Sequence, residues 1–277
     1  MMTRIAVCAP ATAITREHAA AAERLVAEEF PEHSILFHEQ CFLQTGHFAG
    51  TDAERLDALL EIANCPDYDA VWFAKGGYGS NRIAETAIAK MDKAAGSKIY
   101  IGYSDMGYLL AGLYQNGIGQ PVHGPLAISA GSRAGQPAAR RVLRWLSGDL
   151  NGLEPSIDGQ TPTVAFNLMT LAMICGTPLM PRLDDHIVMV EEVSEHLYSI
   201  DRLFFHISKH LTGIAGLRLG QITDVPVNDR EFGHSAEDIT KFWCERAGIP
   251  YLGRAEIGHT AENRIVPFGL ASPPSAS

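Results

Sequence analysis

Four short apolar runs, each followed by a helical pattern, govern what this chain can fold into. Ile5–Ala9, Ser34–Phe37, Ala70–Ala74 and Lys98–Gly102 have strand length. After them come Thr15–Phe30, Asp52–Ala63, Ser80–Lys90 and Asp105–Gln115, which read as helices, the second capped by Thr51 or Asp52. Strands that are apolar at nearly every position are buried on both faces, and parallel strands need long crossovers. The alternation therefore predicts a parallel sheet with helices on both sides.

Beyond Arg133 the texture changes. A helix is expected near Pro137–Leu146, and the Gly- and Asp-rich stretch 147–161 reads as a linker. A second set of elements follows: helix Asn167–Cys175, strand His186–Glu191, helix Ser199–Leu211, strand Gly216–Asp224, helix Ala236–Ala247 and strand Ile249–Leu252. The expected α/β architecture is an N-terminal Rossmann-like parallel-sheet domain (1–146) joined to a smaller C-terminal α/β domain (162–277). The Pro- and Ser-rich tail Ala271–Ser277 reads as disordered.

Composition narrows the function classes. The 277 residues are 46% hydrophobic and carry a formal net charge of −10. That balance lacks the basic footprint of a nucleic-acid binder and disfavours anionic lipid. No apolar stretch approaches the roughly 20 residues of a membrane span. Pro10 interrupts the first apolar run too early for a secretion signal, so a cytoplasmic protein is expected. Five scattered cysteines without a Cys-x-x-Cys pair argue against a disulfide framework.

The segment Lys98-Ile-Tyr-Ile-Gly-Tyr-Ser104-Asp105 runs from a buried strand into a helix and puts Ser104 on the turn. A side chain there lies at the carboxyl edge of the sheet, where open α/β folds bind ligands. The Asp105 N–H at the helix start is then available to a developing oxyanion. Taken alone, Ser104 reads more readily as a helix cap than as a nucleophile. The loop Lys75-Gly76-Gly77-Tyr78-Gly79-Ser80 follows the neighbouring strand, and three glycines in four positions let its backbone approach a ligand. Its spacing is not that of a dinucleotide fingerprint.

A serine nucleophile needs a base and a group that orients the base. Of 11 histidines, His18, His33, His196, His206 and His210 read as solvated surface groups. His123, in a turn after a short strand, and His259, at the end of an expected strand, remain as candidates. Glu191 and Glu192 end the apolar run Val188-Met-Val, although an acid in that position more often solvates a loop.

In order along the chain, several motifs resemble those of the LD-carboxypeptidase family, which includes the microcin C self-immunity hydrolases. They are Ile5-Ala-Val-Cys-Ala-Pro10, Gly46-His-Phe-Ala-Gly-Thr-Asp-Ala-Glu-Arg55, Lys75-Gly-Gly-Tyr-Gly-Ser-Asn-Arg82, Gly102-Tyr-Ser-Asp105 and His123-Gly-Pro125. Glu191-Glu-Val-Ser-Glu-His-Leu-Tyr198-Ser-Ile-Asp-Arg202 and Gly258-His259 complete the series. The resemblance implies a Ser104–Glu191–His259 triad in a cleft between two domains, with Gly77 and Asp105 as oxyanion donors. It further places Tyr78 and His123 among the substrate-binding residues. The implied reaction releases terminal D-alanine from murein tetrapeptides, by a homodimer and without cofactor or metal. The immunity branch instead cleaves aminoacyl-nucleotide analogues, and a non-catalytic two-domain binding protein is the alternative of another class. This chain departs from the family pattern at Lys75 (usually Arg), at Ala165-Phe166 (often Gly-Gly) and at Glu192 (often Asp).

Overall fold

The computed structural model describes residues 2–271. The first half alternates β1 (Thr3–Val7), α1 (Arg16–Glu29), β2 (His33–Phe37), α2 (Asp52–Asn64), β3 (Ala70–Trp72), α3 (Asn81–Lys90), β4 (Ile99–Gly102), α4 (Gly107–Gln115), β5 (Gln120–His123) and α5 (Gln136–Leu146). Strands β1 to β5 pair in parallel, with β1 between β2 and β3. The order 2-1-3-4-5 reverses beside β1, and such a switch point opens a crevice at the carboxyl ends of the strands. The loops after β1, β3 and β4 converge there.

Local chemistry sets several boundaries. Thr51 and Glu54 form a reciprocal capping box that starts α2. The helix expected from Ser80 begins one residue later, because the Ser80 N–H and hydroxyl both bond Asp105. The helix expected from Asp105 begins at Gly107, after a single 3-10 turn over Ser104–Met106. His33, expected at the surface, is buried and its Nε2 lies 3.0 Å from the Leu143 carbonyl oxygen on α5.

The second half holds β6 (Thr163–Asn167), α6 (Leu168–Ile174), β7 (Ile187–Val193), α7 (Leu197–Ile207), β8 (Gly216–Thr223), α8 (Ala236–Ala247) and β9 (Tyr251–Arg254). These strands form a parallel sheet in the order β6-β7-β8-β9. Strand β9 starts two residues later than expected. Gly248, left-handed at φ 68°, ends α8, and the Ile249 N–H bonds back to the Cys244 carbonyl. Ile249 therefore belongs to the helix cap. Finally β10 (Val266–Pro267) returns to the first sheet and pairs antiparallel with β5. Strands β6 and β10 are absent from the sequence-based expectation, whose disordered tail lies outside the described residues beyond Ala271.

The halves meet where α4 crosses α6. A β-carbon at Gly107 would stand 2.8 Å from Thr170 Cγ2, and one at Gly112 would stand 2.8 Å from Leu179 Cδ2. Apolar residues from both halves, among them Leu109, Leu113, Leu171 and Phe166, share one buried core. No helix among the described residues is long and apolar enough to cross a membrane.

Candidate active site

Ser104 follows β4 and has φ 61°, a left-handed conformation that non-glycine residues rarely adopt. The N-cap positions of the 3-10 turn and of α4 are Tyr103 and Met106, so Ser104 caps neither. The hydroxyl instead lies 3.1 Å from His259 Nε2. The helix-cap reading of Ser104 therefore fails on geometry. The strained turn aims the oxygen away from the helix and into the space between the halves.

His259 Nδ1 lies 2.7 Å from Glu191 Oε2. A carboxylate only accepts, so Nδ1–H donates and Nε2 is left to accept the serine proton. Glu191 is fully buried on β7, and burial pushes its carboxyl above the ordinary range while the His259 hydrogen bond opposes that shift. His259 lies beyond the end of β9, in the irregular segment before β10, rather than at a strand end as expected.

The neighbouring acid has a separate task. Successive strand residues face opposite ways. Glu192 accepts hydrogen bonds from Asn167 Nδ2 (2.7 Å) and from the backbone N–H groups of Met169 (2.8 Å) and Val193 (2.9 Å). It ties the β6–α6 turn to β7, at the positive end of α6. Opposite Glu191 stands Gly220 of β8, where a β-carbon would lie 2.9 Å from Glu191 Cβ and 2.7 Å from Ile257 Cγ1. Only a glycine leaves room there for the acid and the segment leading to His259.

The glycine loop is fastened from below. Asp105 is buried, and its carboxylate accepts from the N–H groups of Ser80 (2.9 Å) and Gly79 (3.3 Å). Desolvation nonetheless raises its pKa. The fully buried Arg55 donates to the carbonyls of Pro10 and of Gly79, the latter at 2.8 Å, and pairs with Asp52. Gly76 abuts Ser104, with its β-carbon position 3.3 Å from Ser104 Oγ. Thr12 donates its hydroxyl to the Gly76 carbonyl at 2.6 Å. In a planar trans peptide the next N–H points the opposite way, so Thr12 also sets the direction of the Gly77 N–H. Gly77 has φ 106°, and a β-carbon on it would stand 2.8 Å from Thr12 Cγ2. Tyr78 is half exposed beside His47 and Phe48.

His123 is fully buried, where a substrate-contacting residue was expected. Its Nε2 lies 3.1 Å from Asn263 Oδ1, and the same oxygen accepts from the Gly258 N–H at 3.1 Å. Burial pushes the His123 imidazole down to about 4, with the Asn263 bond opposing and the nearby His259 adding to the shift. The Tyr103 ring packs against both histidines, 4.8 Å from His259 and 5.5 Å from His123 between centroids. Sequence reasoning overlooked Thr12, Tyr103, Gly220 and Asn263. Tyr103 stands inside the Gly102–Asp105 motif, Thr12 two positions beyond Pro10 and Asn263 four positions beyond His259, whereas Gly220 sits near no such signal.

Comparison with known proteins follows the same division of the chain. The family model for the LD-carboxypeptidase N-terminal domain matches residues 5–124, and that for the LD-carboxypeptidase C-terminal domain matches residues 160–272. A murein tetrapeptide carboxypeptidase of Pseudomonas aeruginosa is 27% identical, covering 96% of this chain and 91% of the relative. A probable murein peptide carboxypeptidase of Bacillus subtilis is 30% identical, covering 82% of this chain and 75% of the relative. The muramoyltetrapeptide carboxypeptidase structure from Oxalobacter formigenes shares the fold, with a TM-score of 0.79 at 22% identity over 98% of this chain and 96% of that one. So does the structure of MccF in complex with glutamyl sulfamoyl guanosine, with a TM-score of 0.77 at 19% identity over 96% of this chain and 91% of that one. Both domain models match in order and together span most of the sequence, so the chain belongs to the LD-carboxypeptidase family.

Proposed function

We propose that this protein is a serine-type LD-carboxypeptidase that releases terminal D-alanine from murein tetrapeptides, with Ser104 as nucleophile, His259 as general base and Glu191 as the acid that orients it. The observation that carries the reading is the unbroken relay from Ser104 Oγ to His259 Nε2 (3.1 Å) and from Nδ1 to Glu191 (2.7 Å). It is assembled from both halves of the chain. Such a constellation is defined by geometry and role, whatever its order in sequence.

In this scheme the Ser104 oxygen attacks the carbonyl carbon of the L,D-amide while its proton passes to His259 Nε2. Glu191 stabilises the imidazolium that forms. The N–H groups of Gly77 and Asp105 take the oxyanion, each such donor contributing roughly 3 kcal/mol to barrier lowering. His259 then protonates the D-alanine nitrogen as the C–N bond breaks. A water loses its proton to the same nitrogen of His259, attacks the acyl-enzyme, and Ser104 leaves with the proton. Tyr78, at the exposed edge of the glycine loop, would meet the substrate. His123, buried behind the relay, is left out of that surface.

The proposal includes the cytoplasmic location expected from the sequence, the homodimeric assembly implied by the resemblance, and a division into a nucleophile domain (1–146) and an acid–base domain (162–277). The test is incubation with murein tetrapeptide, with D-alanine followed by mass spectrometry, beside an aminoacyl sulfamoyl nucleotide. Tetrapeptide turnover that is abolished in Ser104→Ala supports the proposal. Consumption of the nucleotide alone would move the chain to the immunity branch. Binding of either compound without turnover would make it a binding protein.

A further inference from the structure

We propose that Asn263 is a positioning residue that sets the reach of His259 toward Ser104, using His123 and Arg141 of the first half as its anchors. The inference rests on the reading of His259 as the base. His259 lies in an irregular stretch between β9 and β10, so no helix or sheet ladder holds its backbone. A base on such a segment needs another source of rigidity, because a misplacement of about 1 Å can cost about 10²-fold in rate.

Asn263 supplies it from a buried position, at 1% exposure. One amide oxygen receives both the Gly258 N–H, adjacent to the base, and Nε2 of His123 at the end of β5, each at 3.1 Å. Its backbone N–H closes the turn onto the Thr260 carbonyl at 3.2 Å. Its own carbonyl accepts from Arg141 Nη1 on α5 at 2.7 Å, and the same nitrogen holds the Ala261 carbonyl at 3.0 Å. The turn that carries His259 is thus pinned on the side-chain and the backbone side. Both anchors belong to the half that carries Ser104. The base, although it follows the second sheet in sequence, is referenced directly to the nucleophile's own sheet.

Since Asn263 Oδ1 accepts twice, His123 must carry its proton on Nε2. An aspartate keeps the accepting oxygen, whereas an alanine removes it. Asn263→Ala should lower kcat by about 10²-fold with KM within about threefold, and Asn263→Asp should recover most of that loss. In a His259→Ala background, adding Asn263→Ala should change the residual rate by less than about twofold, because residues acting through one group are not additive. Losses that multiply in the double variant would overturn the inference. A readout free of substrate is the far-downfield Nδ1–H proton resonance of His259, assigned by its disappearance in His259→Ala. It should be lost or broadened in Asn263→Ala and return in Asn263→Asp. An unchanged resonance in Asn263→Ala would also overturn the inference. Absence of D-alanine release by the wild-type protein would instead remove the proposed function, and the resonance would still decide the role of Asn263.

Discussion

Ser104 shows how little one residue type says until its backbone and partners are known. In sequence it follows a strand and precedes a helix, a place where serine ordinarily caps. With φ 61° and the hydroxyl 3.1 Å from His259, it caps nothing. Replacing it by alanine should reduce D-alanine release by at least about 10³-fold while leaving the thermal midpoint close to wild type, as a differential scan would show. The adjacent acids separate just as clearly. Glu191→Gln should lower kcat by up to about 10⁴-fold by upsetting the imidazole tautomer, with stability little changed. Glu192→Gln should leave the chemistry largely intact and lower the denaturation midpoint, since it weakens three hydrogen bonds that tie the β6–α6 turn. The reverse pattern in steady-state kinetics and urea titration would exchange the two roles. Thr12 offers a finer test. Thr12→Val should reduce kcat by roughly 10-fold or more with KM preserved, and Thr12→Ser should restore it, if the hydroxyl aims the Gly77 N–H.

At the level of elements, the first four strands and helices were legible because each strand holds an apolar run, each following segment is of helical length, and α1 and α2 begin at side-chain caps. Thr51 with Glu54 is such a cap. The elements that escaped are the ones lacking local pattern. Strand β10 has two residues, too few for any period, and exists only because β5 offers an open edge. Strand β6 runs directly into α6 at Asn167, so its five residues merge with the helical pattern that follows. Gly220 is invisible in the same way: a glycine inside a strand looks like a weakness until its neighbours are seen. Gly220→Ala would force its β-carbon against Glu191 Cβ, Ile257 Cγ1 and the Ile257 carbonyl oxygen. Overpacking of this kind costs about 1–3 kcal/mol. The variant should therefore lose both stability and kcat, whereas Gly253→Ala on neighbouring β9, whose β-carbon would meet nothing closer than 3.9 Å, should show only the strain of its positive φ. Urea titration and kcat for the two variants check the contrast.

For the whole molecule, the site exists only because two sheets are held in register, and several of the groups that hold them titrate. His123 stays neutral in the folded protein down to about 4, whereas the unfolded chain takes up its proton near 6.5. Between those values the unfolded state binds more protons, so this contribution to stability is complete above 6.5 and is lost as pH falls toward 4. The full loss is about 3 kcal/mol. Glu191, Glu192 and Asp105, whose folded pKa values are raised, act with the opposite sign: their contribution is complete at low pH and declines as pH rises through those values. Urea midpoints measured from about pH 7 to about pH 4.5 should fall less steeply for His123→Gln than for wild type, a linkage effect independent of catalysis. Parallel slopes would show that His123 titrates normally in the folded state. By itself, the sequence determined the parallel sheet of the first half, the turn that carries Ser104 and the residue types of a serine hydrolase. The first two follow from hydrophobic period and local backbone preference, which act over a few positions; the third rests on the resemblance of ordered motifs along the chain. Motif resemblance already groups Ser104, Glu191 and His259; only the tertiary structure brought their atoms into contact, gave Glu192 separate partners and buried His123 as a brace. The relay and the brace depend on contacts between residues 68 to 155 positions apart, which no local pattern encodes.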